Sequence, residues 1–217
     1  MESRKLSFAG TDRFAKGMII LLSLVIAALV RWFWMWRSGL AAQAKMQEHL
    51  ASEVLRFHIL ANSDSDSDQK LKLTIRDRIL DYLEVRMPKG MDVTGTKRWM
   101  RRHVDDLEEL GREIAAEEGF DYPVTAAVTT CWFPDRTYGD LTFPAGNYEA
   151  LRVEIGDAKG HNWWCVLYPG LCFLDSVNVV VPEKSRETLQ NVLTEEEYAF
   201  MENDFEIKWY FAEQWKK

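Results

Sequence analysis

The 217-residue chain carries a formal net charge of −7, with 47% apolar and 12% aromatic residues. That apolar content is enough to build a core, so the composition excludes a chain that is disordered throughout. The length allows one ordinary domain plus a targeting segment, and the acidic balance disfavours binding to nucleic-acid phosphates.

The N-terminal segment is basic, although the chain as a whole is acidic. Residues 1–37 contain six cationic and two acidic side chains, a net of +4, so the remainder sums to −11. The uncharged run Gly17–Val30 has the length of a signal-peptide core. Continued through Arg31 and the aromatic cluster at 32–36, it reaches about twenty residues, enough to span a bilayer.

Two fates of this leader stay open. Ala42-Gln43-Ala44 offers a cleavage site, which favours a removed signal peptide over residues 1–44. Arg37 and the bulky tryptophans before it favour a retained membrane anchor instead. In both cases the basic N-terminus stays in the cytoplasm, so residues 45–217 are predicted to form an extracytoplasmic domain.

The first half of that domain predicts one strand and two helices. Leu55–Leu60 alternates apolar and polar residues, which indicates a strand with His58 on its polar face. Asp68 is the expected N-cap of a helix from Gln69 to about Arg86. A second helix is predicted from about Thr96 to Glu118.

The second half changes to the two-residue period of strands. Strands are predicted over Tyr122–Phe133, Tyr148–Ile155 and Asn162–Leu167, the last two as a hairpin, with a helix near Thr194 and a last strand at Phe205–Phe211. The fold class is therefore α+β: a single globular domain with a mixed or antiparallel sheet packed with helices, preceded by a signal or anchor helix.

The sequence contains no recognised catalytic or cofactor motif. Asp64, Asp66 and Asp68 imitate the start of a calcium loop, but Gln69 and Ile75 replace the glycine and the glutamate that the loop requires. A solvated turn is the favoured interpretation. The histidines lack zinc-site spacing, so no catalytic residue, metal or cofactor is predicted.

Two stretches combine many polar and aromatic side chains. The first runs from Arg56 to Asp64 and the second from Asn162 to Pro169. Trp163 and Trp164 are adjacent in a strand and must face opposite sides, so one can enter the core while the other is free for a partner. Packing of both in the core is the alternative.

The three cysteines allow one disulfide. In an oxidising exterior Cys165 and Cys172 can pair and close a short loop, which stabilises by roughly 2–3 kcal/mol. Free buried thiols are the alternative. A nucleophilic Cys165 with His161 four residues earlier lacks a third, orienting group.

The same stretches resemble a known family. Leu55–Asp64 (LRFHILANSD), Gly146–Val153 (GNYEALRV) and Asn162–Phe173 (NWWCVLYPGLCF) are similar to blocks of the stage II sporulation protein R family. The resemblance covers most of residues 54–175. Gly170 stands where the family commonly has a second proline, and Cys131 lies outside the blocks.

The resemblance implies a function that composition does not reach. It implies a protein made in the forespore and exported into the intermembrane space between forespore and mother cell. There it would activate a membrane-embedded aspartic protease of the mother cell that processes the pro-sigma-E precursor. The expected receptor contacts are Arg56, His58, Asp64, Trp163 and Trp164, braced by a Cys165–Cys172 disulfide.

Two rival functions remain. One is a secreted cell-wall hydrolase that uses Asp64 or Asp66 together with His58. The other is a structural membrane protein of the septum, tethered by its N-terminal segment.

Overall fold

A computed structural model describes residues 9–173 and 181–202 of the chain. The chain divides into two compact units, Met1–Met46 and Gln47–Lys217.

The first unit is built on one long helix. Helix α1 spans Ala9–Ser52. Its most apolar 18-residue window, within Ala15–Ser52, has a mean hydropathy of 2.2, and no part of that window is buried. The large apolar side chains from Met18 to Val30 all point outward. By length and composition this helix can cross a bilayer, a test that a signal sequence also passes.

The second unit is organised around a four-stranded mixed sheet. Its strands are β1 (Leu55–Leu60), β2 (Val124–Phe133), β5 (Gly146–Ile155) and β6 (Asn162–Tyr168); β3 (Arg136–Tyr138) and β4 (Leu141–Phe143) form a separate two-stranded ribbon. The order in the sheet is β2-β5-β1-β6. The central strand β1 runs parallel to β5 and antiparallel to β6.

The predicted hairpin of β5 and β6 is wrong, because β1 lies between these two strands. The turn at residues 156–160 passes over the end of β1 instead of reversing directly. There the N–H of Lys159 donates to the carbonyl of Asn62, and the N–H of Gly160 donates to the carbonyl of Ala61. All six residues of β1 are buried, so this strand requires a neighbour on each edge and cover on each face.

Three helices cover one face of the sheet. They are α2 (Asp66–Arg86), α3 (Val93–Arg102) and α4 (Val104–Glu117). The predicted stripe of α2 is confirmed, since these side chains are buried against Phe57, Ile59 and Leu151: Leu71, Ile75, Ile79 and Leu83.

Two helix boundaries differ from the prediction. Helix α2 begins at Asp66, because the side chain of Ser65 accepts the N–H of Asp68 and serves as the N-cap. The helix predicted over 96–118 is two helices that meet at His103, whose ψ of 15° departs from helical geometry.

The opposite face carries a second core. The β3–β4 ribbon packs there with α5 (Glu183–Val192) and α6 (Glu195–Glu202). The predicted capping box is confirmed: the N–H of Thr194 donates to Glu197 at 2.8 Å, and the N–H of Glu197 donates to the Thr194 hydroxyl at 3.2 Å. The strand predicted at Phe205–Phe211 lies outside the described residues. The α+β class with a mixed sheet is confirmed.

Candidate functional site

The turn after β1 is a hydrogen-bonded junction between two loops. Asn62 Nδ2 and the Ser63 hydroxyl donate to Asp68 at 2.9 and 2.5 Å, and Asn62 Oδ1 accepts the N–H of Asp157 at 2.9 Å. Bonds from Ser63 and Asn62 hold the pKa of Asp68 below its ordinary value despite burial. The interpretation of a solvated turn is therefore wrong for Asp68, which is buried.

Asp64 completes this junction from the outside. Its Oδ1 accepts both the backbone N–H and the ring N–H of His161 at 2.5 Å, and these bonds lower the pKa of the Asp64 carboxyl. The carboxylate remains more than half exposed. In the part of the chain that the structure describes, no three His, Cys, Asp or Glu side chains are placed to hold a metal ion. Asp64 is thus an accessible carboxylate that is hydrogen-bonded to His161.

Arg56 lies inside the second core. Its side chain is 0% exposed, and its guanidinium carbon lies 4.4 Å from the Phe133 ring centroid and 5.0 Å from that of Tyr148. Nε donates to the carbonyl of Cys165 at 3.0 Å and Nη2 to the Tyr138 hydroxyl at 3.2 Å, whereas Nη1 has no hydrogen-bond partner among the described residues. Burial lowers the pKa of Arg56. The expectation of a receptor contact at the surface does not fit this position.

His58 is buried on the same face, so the prediction of a polar surface position is wrong. It is 4% exposed and stacks on Trp164 with ring centroids 3.8 Å apart. Burial, followed by the nearby charge of Arg152, lowers the pKa of His58 to about 4. The imidazole is therefore neutral near pH 7 and stands in van der Waals contact with aromatic rings.

The two tryptophans of β6 flank the sheet from opposite sides, and both are half-buried. Trp163 meets Phe57 edge-on at 5.6 Å, and the guanidinium of Arg76 lies 4.9 Å from its ring. Trp164 lies over His58 on the other face. The structure therefore does not gather the predicted contact residues into one surface.

The cysteines leave one free thiol among the described residues. A disulfide joins Cys165 to Cys172 at the end of β6, so Cys165 is not available as a nucleophile. Cys131 on β2 is free and lies 3.9 Å from His58 Nδ1. Burial raises the pKa of Cys131, which keeps the thiol protonated. This arrangement favours packing over nucleophilic chemistry.

The outer strand β2 was predicted as a strand, but none of its residues was predicted to be functional. Its ten residues carry no charge, and Trp132 is 59% exposed near its end. A signal was present, because an uncharged strand that ends in an exposed aromatic residue is unusual at a sheet edge. This signal could not be interpreted from the sequence, because the sequence does not say which strands are outermost in the sheet.

Comparison with known proteins gives two matches. The family model described as Stage II sporulation protein R (spore_II_R) matches residues 51–178. The curated Stage II sporulation protein R of Bacillus subtilis (strain 168) is 36% identical over 129 residues, which cover 59% of this chain and 58% of that protein. The match thus spans less than two thirds of the relative's length. No solved structure matches.

Proposed function

Because the chain belongs to the stage II sporulation protein R family, we propose that it is an exported sporulation signal that activates a membrane-embedded protease. The protease is the aspartic enzyme of the mother cell that processes the pro-sigma-E precursor, and the meeting place is the intermembrane space. The family match over residues 51–178 carries this proposal, and it agrees with the predicted resemblance over 54–175.

The N-terminal unit supports export. A basic start, followed by the apolar part of α1, none of which is buried, provides either a signal sequence or an anchor. A signal of this kind acts by binding one conformation of its receptor more tightly than another, and so shifts the receptor toward that state. Such a role needs a stable surface and not a catalytic group.

The hydrolase alternative receives no support from the site. It requires His58 as a base beside Asp64 or Asp66, yet His58 is buried under Trp164 and its pKa is about 4. Asp64 in turn is paired with His161. A hydrolase built on these carboxylates would lose its activity in the double variant Asp64→Asn/Asp66→Asn. Asp66→Asn alone, at a residue outside the expected receptor contacts, should retain signalling.

Reconstitution of the pathway tests the proposal. The full chain, the candidate protease and its precursor substrate are produced together in a non-sporulating cell, and cleavage of the precursor is followed. We expect cleavage only when all three are present, and none when the catalytic aspartate of the protease is replaced. Cleavage that is independent of the chain, or absent with all three partners, would contradict the proposal and favour a structural role at the septum.

A further inference from the structure

Strand β2 forms one outer edge of the main sheet and lacks the usual protection of an edge. It pairs with β5 without a bulge from Val124, opposite Ile155, to Phe133, opposite Gly146. None of its ten residues is charged or proline. Soluble proteins normally protect long edge strands with charges, prolines or bulges, because a bare edge pairs with other chains.

One side chain shows which backbone groups face outward. The N–H of Ala126 donates to the Glu108 carboxylate at 3.1 Å, so Ala126 points its backbone groups away from β5. Outward groups alternate along an antiparallel strand, and Val128, Thr130 and Trp132 therefore share this direction. Within the described residues no hydrogen bond reaches their N–H groups. Glu108 thus covers the beginning of the edge, and nothing else in the described part of the chain pairs with the stretch from Val128 to Trp132, which we call the open edge.

An exposed aromatic side chain marks the open stretch. Trp132 is 59% exposed, while Thr130 beside it is also exposed. Tryptophan is the residue type most enriched among side chains that dominate binding energy. Outward donors and acceptors at strand spacing, next to such a side chain, are complementary to one kind of ligand, an extended polypeptide.

We propose that the open edge of β2, from Val128 to Trp132, binds an extended segment of the receptor, which adds to the sheet as a fifth strand anchored on Trp132. The segment is uncharged and rich in β-branched or aromatic residues, because the edge offers no charge to pair. This inference rests on the proposed function and specifies the surface that carries it.

A receptor segment fits this edge better than a second copy of the chain. Two-fold pairing of five residues buries far less than the ~1,600 Å² of a standard interface, so it would not hold a homodimer. A receptor confined with the chain to one narrow space binds at a high effective concentration, for which a short added strand is sufficient.

Variants at Thr130 separate the backbone from the side chain. Thr130→Pro removes an outward N–H without breaking a bond to β5, and Thr130→Val keeps that N–H with nearly the same shape. In the reconstituted assay with the full chain, we expect Thr130→Pro to lower precursor cleavage by on the order of tenfold or more. Thr130→Val should be unchanged, and thermal unfolding should confirm that both variants fold.

Loss of the Trp132 side chain gives a second, independent test. Trp132→Ala should lower cleavage by a similar factor, whereas Val85→Ala, at an exposed apolar residue on α2, should not. If Thr130→Pro does not fold, a photo-crosslinking residue at position 132 decides. A covalent product with the protease supports the proposal, and its absence overturns it.

The outcomes distinguish the two proposals. If the wild-type chain activates the protease and folded Thr130→Pro and Trp132→Ala activate it equally well, the β2 edge is not the contact and the proposed function stands. If the wild-type chain activates nothing, both proposals fall. A wild-type dimer that Thr130→Pro converts to monomer in sedimentation would assign the edge to a second copy and overturn the receptor segment.

Discussion

Arg56 places a positive charge in an apolar core without a carboxylate partner among the described residues. Its charge is spread over a planar group that lies against the ring of Phe133 at 4.4 Å and near that of Phe143 at 5.3 Å. Such contacts suit a weakly hydrated guanidinium and not a compact ammonium. The guanidinium of Arg56 therefore packs as a flat group between the aromatic rings of the second core.

This environment predicts an unusual order of stability. Arg56→Lys should lower the free energy of unfolding by about 3 kcal/mol, since it keeps a buried charge and loses the planar contacts. Arg56→Met should cost about 1 kcal/mol, mainly through the acceptor left at Cys165. Denaturant unfolding of the two variants checks the order, and a more stable Arg56→Lys would contradict the account.

His58 makes the stability of the domain depend on pH. Its pKa is about 4 in the folded chain against an ordinary 6.5, so the unfolded chain binds the extra proton first as the pH falls. Stability is therefore lost between pH 6.5 and 4, by roughly 3 kcal/mol from this group. His58→Gln should flatten that part of the pH profile of the unfolding free energy.

His103→Gln serves as the control, because His103 lies at the junction of α3 and α4 and not in the second core. A wild-type slope that persists between pH 6.5 and 4 in His58→Gln would show that His58 is not its source. Asp64 and Asp68, whose pKa values are lowered, contribute at still lower pH and should be unaffected by the substitution.

Residue-level patterns predicted the strand β1 but not its surroundings. Arg56 and His58 alternate with apolar residues, and alternation normally indicates one wet face. Here Phe133 and Trp164, distant in sequence, cover that face. A single-strand pattern carries no information on cover supplied by other strands, and for this reason the two side chains were expected at the surface.

At the scale of elements, the junction between the β1–α2 turn and the β5–β6 turn fixes the strand order. Gly160 lies against the carbonyl of Ser63 and the side chain of Ala61, where a Cβ would clash with backbone. The close approach lets the chain cross the end of β1 and enter β6. Helix stripes were predictable because they depend on local spacing, whereas this crossing depends on a contact about a hundred residues apart in sequence.

Gly160→Ala should therefore destabilise the domain by about 1–3 kcal/mol, because the added methyl forces the two turns apart. Lys159→Ala, at an exposed neighbour in the same turn, should leave the stability nearly unchanged. Thermal unfolding measures both. Equal effects of the two substitutions would show that the crossing tolerates a side chain and that the junction is loose.

For the molecule as a whole, the proposed function assigns export to the first unit and recognition to the second. The apolar N-terminal segment was predictable, since it depends on composition alone, and the long helix α1 is compatible with a signal sequence or an anchor. Cleavage of the N-terminal segment stays a prediction, because a cleaved signal peptide and a retained membrane anchor both contain an apolar helix of this kind. The open edge of β2 could not be predicted from the sequence, because identifying an edge strand requires the strand order, which only the structure gives.

The apolar run of α1 should decide where the protein resides. Leu22→Arg/Ile26→Arg places two charges in its centre, and each charge opposes insertion by about 2.5–3.5 kcal/mol. We expect the double variant to remain in the cytosol and to activate nothing, while Leu22→Val/Ile26→Val is exported like the wild type. Fractionation and external protease digestion of intact cells measure this. A wild-type chain found intact in the cytosol, or a doubly charged variant that still reaches the exterior, would show that α1 does not direct export.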